Sequence, residues 1–148
     1  RLTLYVDGRA VRRYDVDLSG NWVADKLHAG DGAVPEGEYH VAAKKGRGQS
    51  RYHKALLLDY PNDADRRAFA ARKREGALPG SARIGGLIEI HGSGGQQRDW
   101  TNGCVALLNP EMDYLFSRVQ VGTPVTIIGA TTARTAGDLQ LVIGEGGD

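Results

Sequence analysis

The sequence has few sulfur-containing residues and few large aromatic residues. It holds one cysteine, one methionine, two tryptophans and two phenylalanines among 148 residues. A single cysteine excludes an internal disulfide, so its thiol is either a small buried apolar group or a reactive one. Lys plus Arg number 19 and Asp plus Glu number 18, which gives a net charge of +1. This balance provides no electrostatic case for binding nucleic acid or an anionic membrane surface.

Long apolar segments are also missing. No run approaches the roughly 20 residues that cross a bilayer, so no membrane span is predicted in this chain. No signal segment is recognisable and Arg1 is predicted to start inside a strand, so we expect a trimmed mature domain. The length fits one domain with its own core. The 21 glycines are scattered over turn-like positions and form no repeat.

Short apolar segments predict a mainly β protein. Strands are expected at 2–6, 11–16, 38–41, 55–60, 85–91 and 125–128, and Asp7-Gly8 indicates a tight hairpin turn after the first. Helices are expected at 63–75, capped by Asn62 or Asp63, and from Asn109, as N-cap, to about residue 119. We therefore expect a β-sandwich or barrel with two short peripheral helices, and a tail or edge element over 131–148.

One histidine and the single cysteine form the candidate chemical site. His91 ends a predicted strand, a polar glycine-rich loop follows, and Cys104 comes directly after Gly103. A thiolate nucleophile needs a base within hydrogen-bond reach, and a strand-end histidine can meet a cysteine at the far end of a connecting loop. The glycine before the cysteine lets backbone amides approach a reacting carbonyl oxygen. The pattern predicts nucleophilic catalysis by Cys104 with His91 as its base.

Other kinds of site have weaker support. The histidines and the cysteine lack the spacing of a zinc site, so no metal is predicted. The loop Gly92-Ser93-Gly94-Gly95 lacks the Lys-Ser/Thr of a phosphate-binding loop. Glu38, Glu89 and Asp113 are too scattered to indicate a glycosidase pair. Trp100 is open to two interpretations, a core plug or a wall of the substrate groove.

These residues resemble the signature of the YkuD family, the L,D-transpeptidases of peptidoglycan. That signature is His-Gly, a spacer, then Ser/Thr-His-Gly-Cys, and this chain has His91-Gly92, a spacer, then Thr101-Asn102-Gly103-Cys104. The opening hairpin and segment 30–39 are also similar to the family. Segments 50–53 and 58–65 resemble the divergent branch that includes murein amidases and endopeptidases. The resemblance covers about residues 2–128.

The resemblance implies a fold and a set of roles. The fold is a YkuD-like β-sandwich of mixed sheets with two short peripheral helices, with the catalytic domain at residues 1–130. Cys104 attacks the carbonyl of the bond between meso-diaminopimelate and a D-amino acid. His91 acts as the base and is oriented by the Gly92 carbonyl, while the amides of Gly103 and Cys104 bind the oxyanion. The residues expected to contact substrate are Thr101, Asn102, Ser50, Tyr52 and His53.

The implied setting is the cell wall. The resemblance implies peptidoglycan stem peptides as substrate, a murein-linked lipoprotein as one possible partner, no cofactor, and a periplasmic or other extracytoplasmic location. Asn102 replaces the family's second histidine, Ala106 stands where many members have Arg or Asn, and the spacer is short. Hydrolysis of the same bond therefore remains an alternative to transpeptidation.

Two further alternatives stay open. One is another class of cysteine peptidase. Papain-like and NlpC-like enzymes place Cys before His, and the caspase Gln-Ala-Cys signature is absent, but a sortase-like enzyme would take His40 or His53 as the upstream histidine. The other alternative is a non-catalytic cell-wall binding module that keeps the fold. It predicts a buried, inert Cys104, whereas a nucleophile is expected to have a lowered pKa.

Overall fold

The computed structural model describes residues 1–129 and 140–144. Within these residues, eight strands form one curled mixed sheet in the order β2-β1-β8-β7-β3-β4-β5-β6. The strands are β1 (Leu2–Val6), β2 (Arg9–Tyr14), β3 (Gly37–Lys45), β4 (Ala55–Leu58), β5 (Glu89–His91), β6 (Val105–Ala106), β7 (Pro124–Ile128) and β8 (Gln140–Gly144). The helices are α1 (Asp63–Arg74) and α2 (Asn109–Arg118). This confirms the predicted mainly β fold with two peripheral helices.

Two of the seven strand pairings are parallel. β1 pairs with β8 and β5 pairs with β6 in parallel register, and the other neighbours are antiparallel. The β1–β2 hairpin turns at Asp7-Gly8, where both residues have positive φ, as this dipeptide predicts. The apolar core includes side chains from both halves of the sheet and from α2, among them Leu2, Leu56, Ile90, Met112 and Leu115.

The C-terminal segment differs from the expectation. Residues 131–148 were expected to form a tail or an edge element, but the described part of this segment is β8, which lies between β1 and β7. Ile143 is fully buried there. β8 is thus an interior strand that joins the first hairpin to the rest of the sheet. The rest of that segment lies outside the described residues, and the domain boundary at residue 130 stays a prediction.

Helix α1 follows its sequence signals. The Asn62 side chain accepts a hydrogen bond from the Asp65 amide at 3.0 Å, and the Asp65 carboxylate accepts one from the Asn62 amide at 2.9 Å. This reciprocal pair is a capping box, and Gly76 with φ +73° follows the C-cap residue Glu75. Both ends of the predicted helix are therefore confirmed to within a residue.

The start of α2 corrects a prediction. Leu108, in an extended conformation, is the N-cap, and its amide donates to the Glu111 carboxylate at 3.2 Å. Asn109 is instead the first helical residue, and its side-chain oxygen accepts a hydrogen bond from the Ser93 amide at 2.7 Å. That bond ties the loop after His91 to the helix, so Asn109 stabilises the site rather than the helix end.

The predicted strand 85–91 is shorter in the structure. Gly85 and Leu87 have φ of +92° and +55°, values that a β-strand does not adopt. Only Glu89–His91 forms β5, although Ile88 still accepts a hydrogen bond from the Leu58 amide. In the described part of the chain, neither helix has the length and apolar character needed to span a bilayer.

We expect Asn62→Ala to lower the free energy of unfolding by about 1–2 kcal/mol, because it removes the N-cap acceptor of α1. It also removes the hydrogen bond from the Asn62 side chain to the Glu38 carbonyl. Urea denaturation at constant pH measures the change. Arg67→Ala, at an exposed position in the same helix, is the matched control and should stay within about 0.5 kcal/mol. Equal losses in the two variants would contradict the capping role.

Candidate active site

The parallel pairing of β5 with β6 brings His91 and Cys104 together. Ile90 is level with Val105 and His91 with Ala106. Cys104 directly precedes β6 and is therefore level with Glu89. Because side chains alternate between the faces of a strand, Glu89, His91 and Cys104 belong to the same face. His91 and Cys104, which are thirteen residues apart in the sequence, therefore lie at the same end of the sheet.

That face opens into a cavity of about 400 Å³. Both the thiol of Cys104 and the imidazole of His91 line it. The residues around the cavity are Lys45, Tyr52, Gly86, Leu87, Glu89, His91, Trp100, Thr101, Asn102 and Cys104. The predicted nucleophile and base therefore share one solvent-accessible space.

The imidazole of His91 is buried and fixed in one tautomer. Its Nδ1 lies 2.7 Å from the Gly92 carbonyl oxygen, which only accepts, so Nδ1 carries the proton. The Nε2 of the neutral ring then holds the free lone pair. Burial lowers the pKa of His91, opposed by the hydrogen bond to Gly92 and by the charge of Glu89. At neutral pH the ring is a neutral base.

Two aromatic rings hold this imidazole. Tyr52 stacks on it with ring centroids 4.4 Å apart and an angle of 22° between the planes. Trp100 meets the imidazole and Tyr52 edge-on, at 5.7 and 5.5 Å. The Trp100 indole N–H donates to the Asp17 carboxylate at 3.0 Å. Trp100 is therefore both a wall of the cavity and a support for His91.

Cys104 is partly exposed and its thiol is protonated at rest. Its Sγ lies 3.5 Å from the carbonyl oxygen of Leu87, to which the S–H donates. Burial raises the pKa of the Cys104 thiol, and the charge of the Glu89 carboxylate adds to the rise. The backbone hydrogen bond of Glu89 and the charges of Lys26 and Lys45 oppose it. The lowered pKa expected of a nucleophile is therefore not what the structure shows. The resting site pairs a neutral thiol with a neutral imidazole.

Gly103 has a backbone that only glycine fits. Its φ is +100°, and a Cβ there would lie 2.7 Å from the carbonyl oxygen of Ala33. The loop around Ala33 is in turn held by Asp31, whose carboxylate accepts from the Ala33 amide and from Lys26. The amides of Gly103 and Cys104 donate no hydrogen bond to any residue in ranges 1–129 and 140–144. Amides without a protein acceptor are one requirement of an oxyanion site, and that role for them stays a prediction.

The predicted substrate-contacting residues divide into two groups. Tyr52, Thr101 and Asn102 line the cavity. Thr101 is buried and its hydroxyl donates to the Cys104 carbonyl at 2.6 Å, so this side chain holds the nucleophile's turn. Asn102 is exposed at the rim. Substrate contact by any of them stays a prediction.

Ser50 and His53 are not among the residues that line the cavity. The Ser50 hydroxyl accepts a hydrogen bond from the Tyr52 amide at 3.0 Å, which shapes the turn carrying Tyr52. His53 Nε2 lies 2.7 Å from the Asp113 carboxylate on α2. His40, the other sortase-like candidate, lies 3.2 Å from Asp59 on the exposed side of β3. The geometry therefore favours His91 as the base.

Gly92 is confined by its neighbours. A Cβ there would lie 2.6 Å from the Asn109 side-chain oxygen and 3.0 Å from the Tyr52 carbonyl. Its amide donates to the carbonyls of Tyr52 and Lys54. This fixes the peptide whose carbonyl orients His91. Among the described residues, no group of three His, Cys, Asp or Glu side chains is placed to hold a metal ion.

Four cavity residues have no distinctive sequence signal. Gly86 and Leu87 belong to a segment that the sequence predicts as a strand. Lys45 follows another lysine, a pattern typical of a solvent-exposed strand end. In the sequence, Glu89 is one of three scattered acidic residues that do not indicate a glycosidase pair. The alternation of Glu89 with His91 on one strand was the available clue.

One protein family and several solved structures are similar to this chain. The family model described as the YkuD L,D-transpeptidase catalytic domain matches residues 1–127. No curated protein matches the chain. Among solved structures, the helical cell shape determining protein Pgp2 from Campylobacter jejuni is similar, with a TM-score of 0.54 and 22% identity. Bd1075 from Bdellovibrio bacteriovorus has a TM-score of 0.55 and 22% identity.

Both structures are longer than this chain. The match to Pgp2 covers 97% of this chain and 46% of that one, and the match to Bd1075 covers 81% and 39%. The chain thus spans less than half the length of each, and at these identities the likeness concerns the fold. The family model, in contrast, covers the histidine, the cysteine and nearly all of the described sheet. The chain belongs to the YkuD family of L,D-transpeptidase catalytic domains.

Proposed function

We propose that this chain is the catalytic part of a peptidoglycan L,D-transpeptidase that works through a thioester on Cys104. The donor is a stem peptide, and the bond broken joins meso-diaminopimelate to a D-amino acid. The observation that carries the proposal is the cavity that Cys104 and His91 both line, with Nδ1 of the imidazole bonded to the Gly92 carbonyl. Membership of the family supports the substrate class.

Acylation uses the groups around the cavity. Sγ of Cys104 attacks the donor carbonyl carbon while Nε2 of His91 takes the thiol proton. The negative oxygen that develops is bound by the amides of Gly103 and Cys104. Collapse of this intermediate breaks the C–N bond, and His91 gives the proton to the leaving amine of the D-amino acid. The product is a thioester and a free D-amino acid.

The neutral pair sets the timing of proton transfer. Burial disfavours both thiolate and imidazolium, so little ion pair forms before substrate arrives. The proton therefore moves as the carbon–sulfur bond forms, when the oxyanion site shares the new negative charge. A base of this kind contributes on the order of 10²–10⁴-fold to the rate.

The acyl-enzyme is resolved by an acceptor. An amine from a second stem peptide, or from a murein-linked lipoprotein, gives transpeptidation, and water gives hydrolysis. Hydrolysis is the alternative function, because Asn102 occupies the rim position at which the best-known members of the family have a histidine. A non-catalytic wall-binding module is the second alternative. A peptidoglycan substrate implies a periplasmic or other extracytoplasmic location.

We expect Cys104→Ala to abolish turnover of muropeptides, because it removes the atom that forms the thioester. Wild-type protein incubated with purified tetrapeptide muropeptides should carry one acyl adduct, located on Cys104 by mass spectrometry. Released products identify the acceptor: a crosslinked dimer indicates transpeptidation and a free tripeptide indicates hydrolysis. Circular dichroism of Cys104→Ala checks that the fold is intact.

Two outcomes would contradict the proposal. Turnover by Cys104→Ala at the wild-type rate would remove the cysteine from the mechanism. Binding of muropeptides by the wild type, with neither adduct nor product, would favour the wall-binding module.

We expect His91→Ala to lower kcat/KM by about 10²–10⁴-fold, the contribution of a general base. His53→Asn is the matched control, because asparagine tolerates the positive φ of residue 53 and this histidine contacts α2. It should retain most of the activity. A loss in His53→Asn as large as that in His91→Ala would move the base to residue 53. Steady-state assays on one muropeptide compare the two.

We expect iodoacetamide to label Cys104 in the folded protein with a rate that rises through alkaline pH. Burial raises the thiol pKa, so the midpoint should lie above about 8.5, the ordinary thiol value. Mass spectrometry of timed samples from pH 6 to 10 measures the rate. A midpoint near or below neutrality would show a stable thiolate–imidazolium pair, and labelling only in denaturant would favour an inert cysteine.

A further inference from the structure

The cavity wall contains an ion pair that acyl transfer does not use. Lys45 Nζ and Glu89 Oε1 are in direct hydrogen-bond contact, with side chains 33% and 14% exposed. Within the described parts of the chain, they are the only Lys, Arg, Asp or Glu side chains that line this cavity. One positive and one negative group are thus presented together to whatever enters it.

The strand registers place Lys45 and Glu89 on the same face of the sheet as His91. Lys45 on β3 is level with Ala55 on β4, and Ala55 is level with His91 on β5. Glu89 lies two residues before His91 and therefore on the same face. The small Ala55 side chain separates Lys45 from His91 in this row. The charges consequently lie beside the acyl-transfer site.

The pair spans an intervening strand. β3 and β5 are not neighbours, because β4 lies between them. The adjacent lysine provides a contrast: Lys44, on the opposite face of β3, donates to the carbonyls of Phe116 and Val119 at 2.6 and 2.7 Å. Lys44 therefore has a packing role. A partly exposed ion pair such as Lys45–Glu89 typically contributes only about 0–1 kcal/mol to stability.

We infer that Lys45 and Glu89 are specificity-determining residues that recognise a substrate group bearing both an ammonium and a carboxylate. The inference rests on the proposed function and deepens it, because the side chain of meso-diaminopimelate ends in such a group. Lys45 binds its carboxylate and Glu89 its ammonium. The bond to be cleaved is then presented to Cys104 by the other end of the same residue.

Selectivity for a doubly charged ligand group arises because this group can replace both partners of the Lys45–Glu89 ion pair. A ligand with both charges replaces the internal ion pair by two intermolecular pairs, so neither protein charge is left unpaired. A lysine side chain brings only the ammonium, which binds Glu89 and leaves the Lys45 ammonium without its carboxylate. An amidated carboxylate has the same defect. A bound peptide covers the Lys45 side chain from solvent, and a charge left unpaired there is costly, so both analogues should bind more weakly.

The test measures binding apart from chemistry. Cys104→Ala protein is titrated by calorimetry with three tetrapeptides that differ at the third residue: meso-diaminopimelate, its side-chain amide, and L-lysine. We expect the first to bind at least about tenfold more tightly than the other two, about 1.4 kcal/mol. Adding Lys45→Met should bring the three affinities to within a few fold. Arg47→Met, exposed and outside the cavity wall, is the control and should keep the preference.

Each outcome has a definite meaning. Equal affinities for the three peptides, or a preference that survives Lys45→Met, would overturn the inference. The double variant Lys45→Met/Glu89→Gln keeps a neutral pair in the same place, and its loss of preference supports the inference even where a single variant folds poorly. Selective binding without an adduct on Cys104 in the unmodified protein contradicts the proposed function alone. Turnover of all three peptides without preference contradicts the inference alone.

Discussion

The short parallel pairing of β5 with β6 is the constraint on which the site depends. β5 has three residues and β6 has two, yet their register decides which side chains share a face. A slip of one residue would turn Cys104 away from His91, because successive side chains alternate. Backbone hydrogen bonds around the two strands prevent this slip. Leu107 donates to the His91 carbonyl, Gly94 to the Leu107 carbonyl, and Asp17 and Ala106 exchange two backbone hydrogen bonds.

A second consequence of this packing is an imidazole kept neutral and correctly oriented without a carboxylate partner. In many cysteine and serine hydrolases an acid orients the base. Here the Gly92 carbonyl holds Nδ1, Tyr52 covers one ring face, and Trp100, itself held by Asp17, meets the ring edge-on. Burial by these rings lowers the His91 pKa, and an acid on Nδ1 would raise it. The arrangement is suited to a base that must be free of its proton when the substrate arrives.

The sequence predicts the fold and the placement of His91 and Cys104 in one cavity, because these signals are local. Asp7-Gly8, the Asn62 cap and the strand-end His91 each specify a backbone conformation within a few residues. Features that depend on contacts between residues distant in sequence cannot be predicted in this way. The side chain of Asn109 looks like a helix cap, but the Ser93 amide competes for it. The thiol pKa depends on burial that no short motif encodes. The interior place of β8 depends on its pairing with β1, which is more than 130 residues earlier in the sequence.

The charges near the reacting pair impose a final requirement. An uncompensated carboxylate at residue 89 raises the pKa of both His91 and Cys104. A higher imidazole pKa would protonate the base near neutrality, and a higher thiol pKa would weaken the nucleophile. Lys45 opposes this field because it lies in contact with Glu89 and lowers the thiol pKa. In the proposed recognition, a bound group with both an ammonium and a carboxylate preserves this compensation, and a group with a single charge disturbs it. The proposed recognition and the acid–base chemistry are therefore coupled through the Glu89 carboxylate, which accounts for its contact with Lys45.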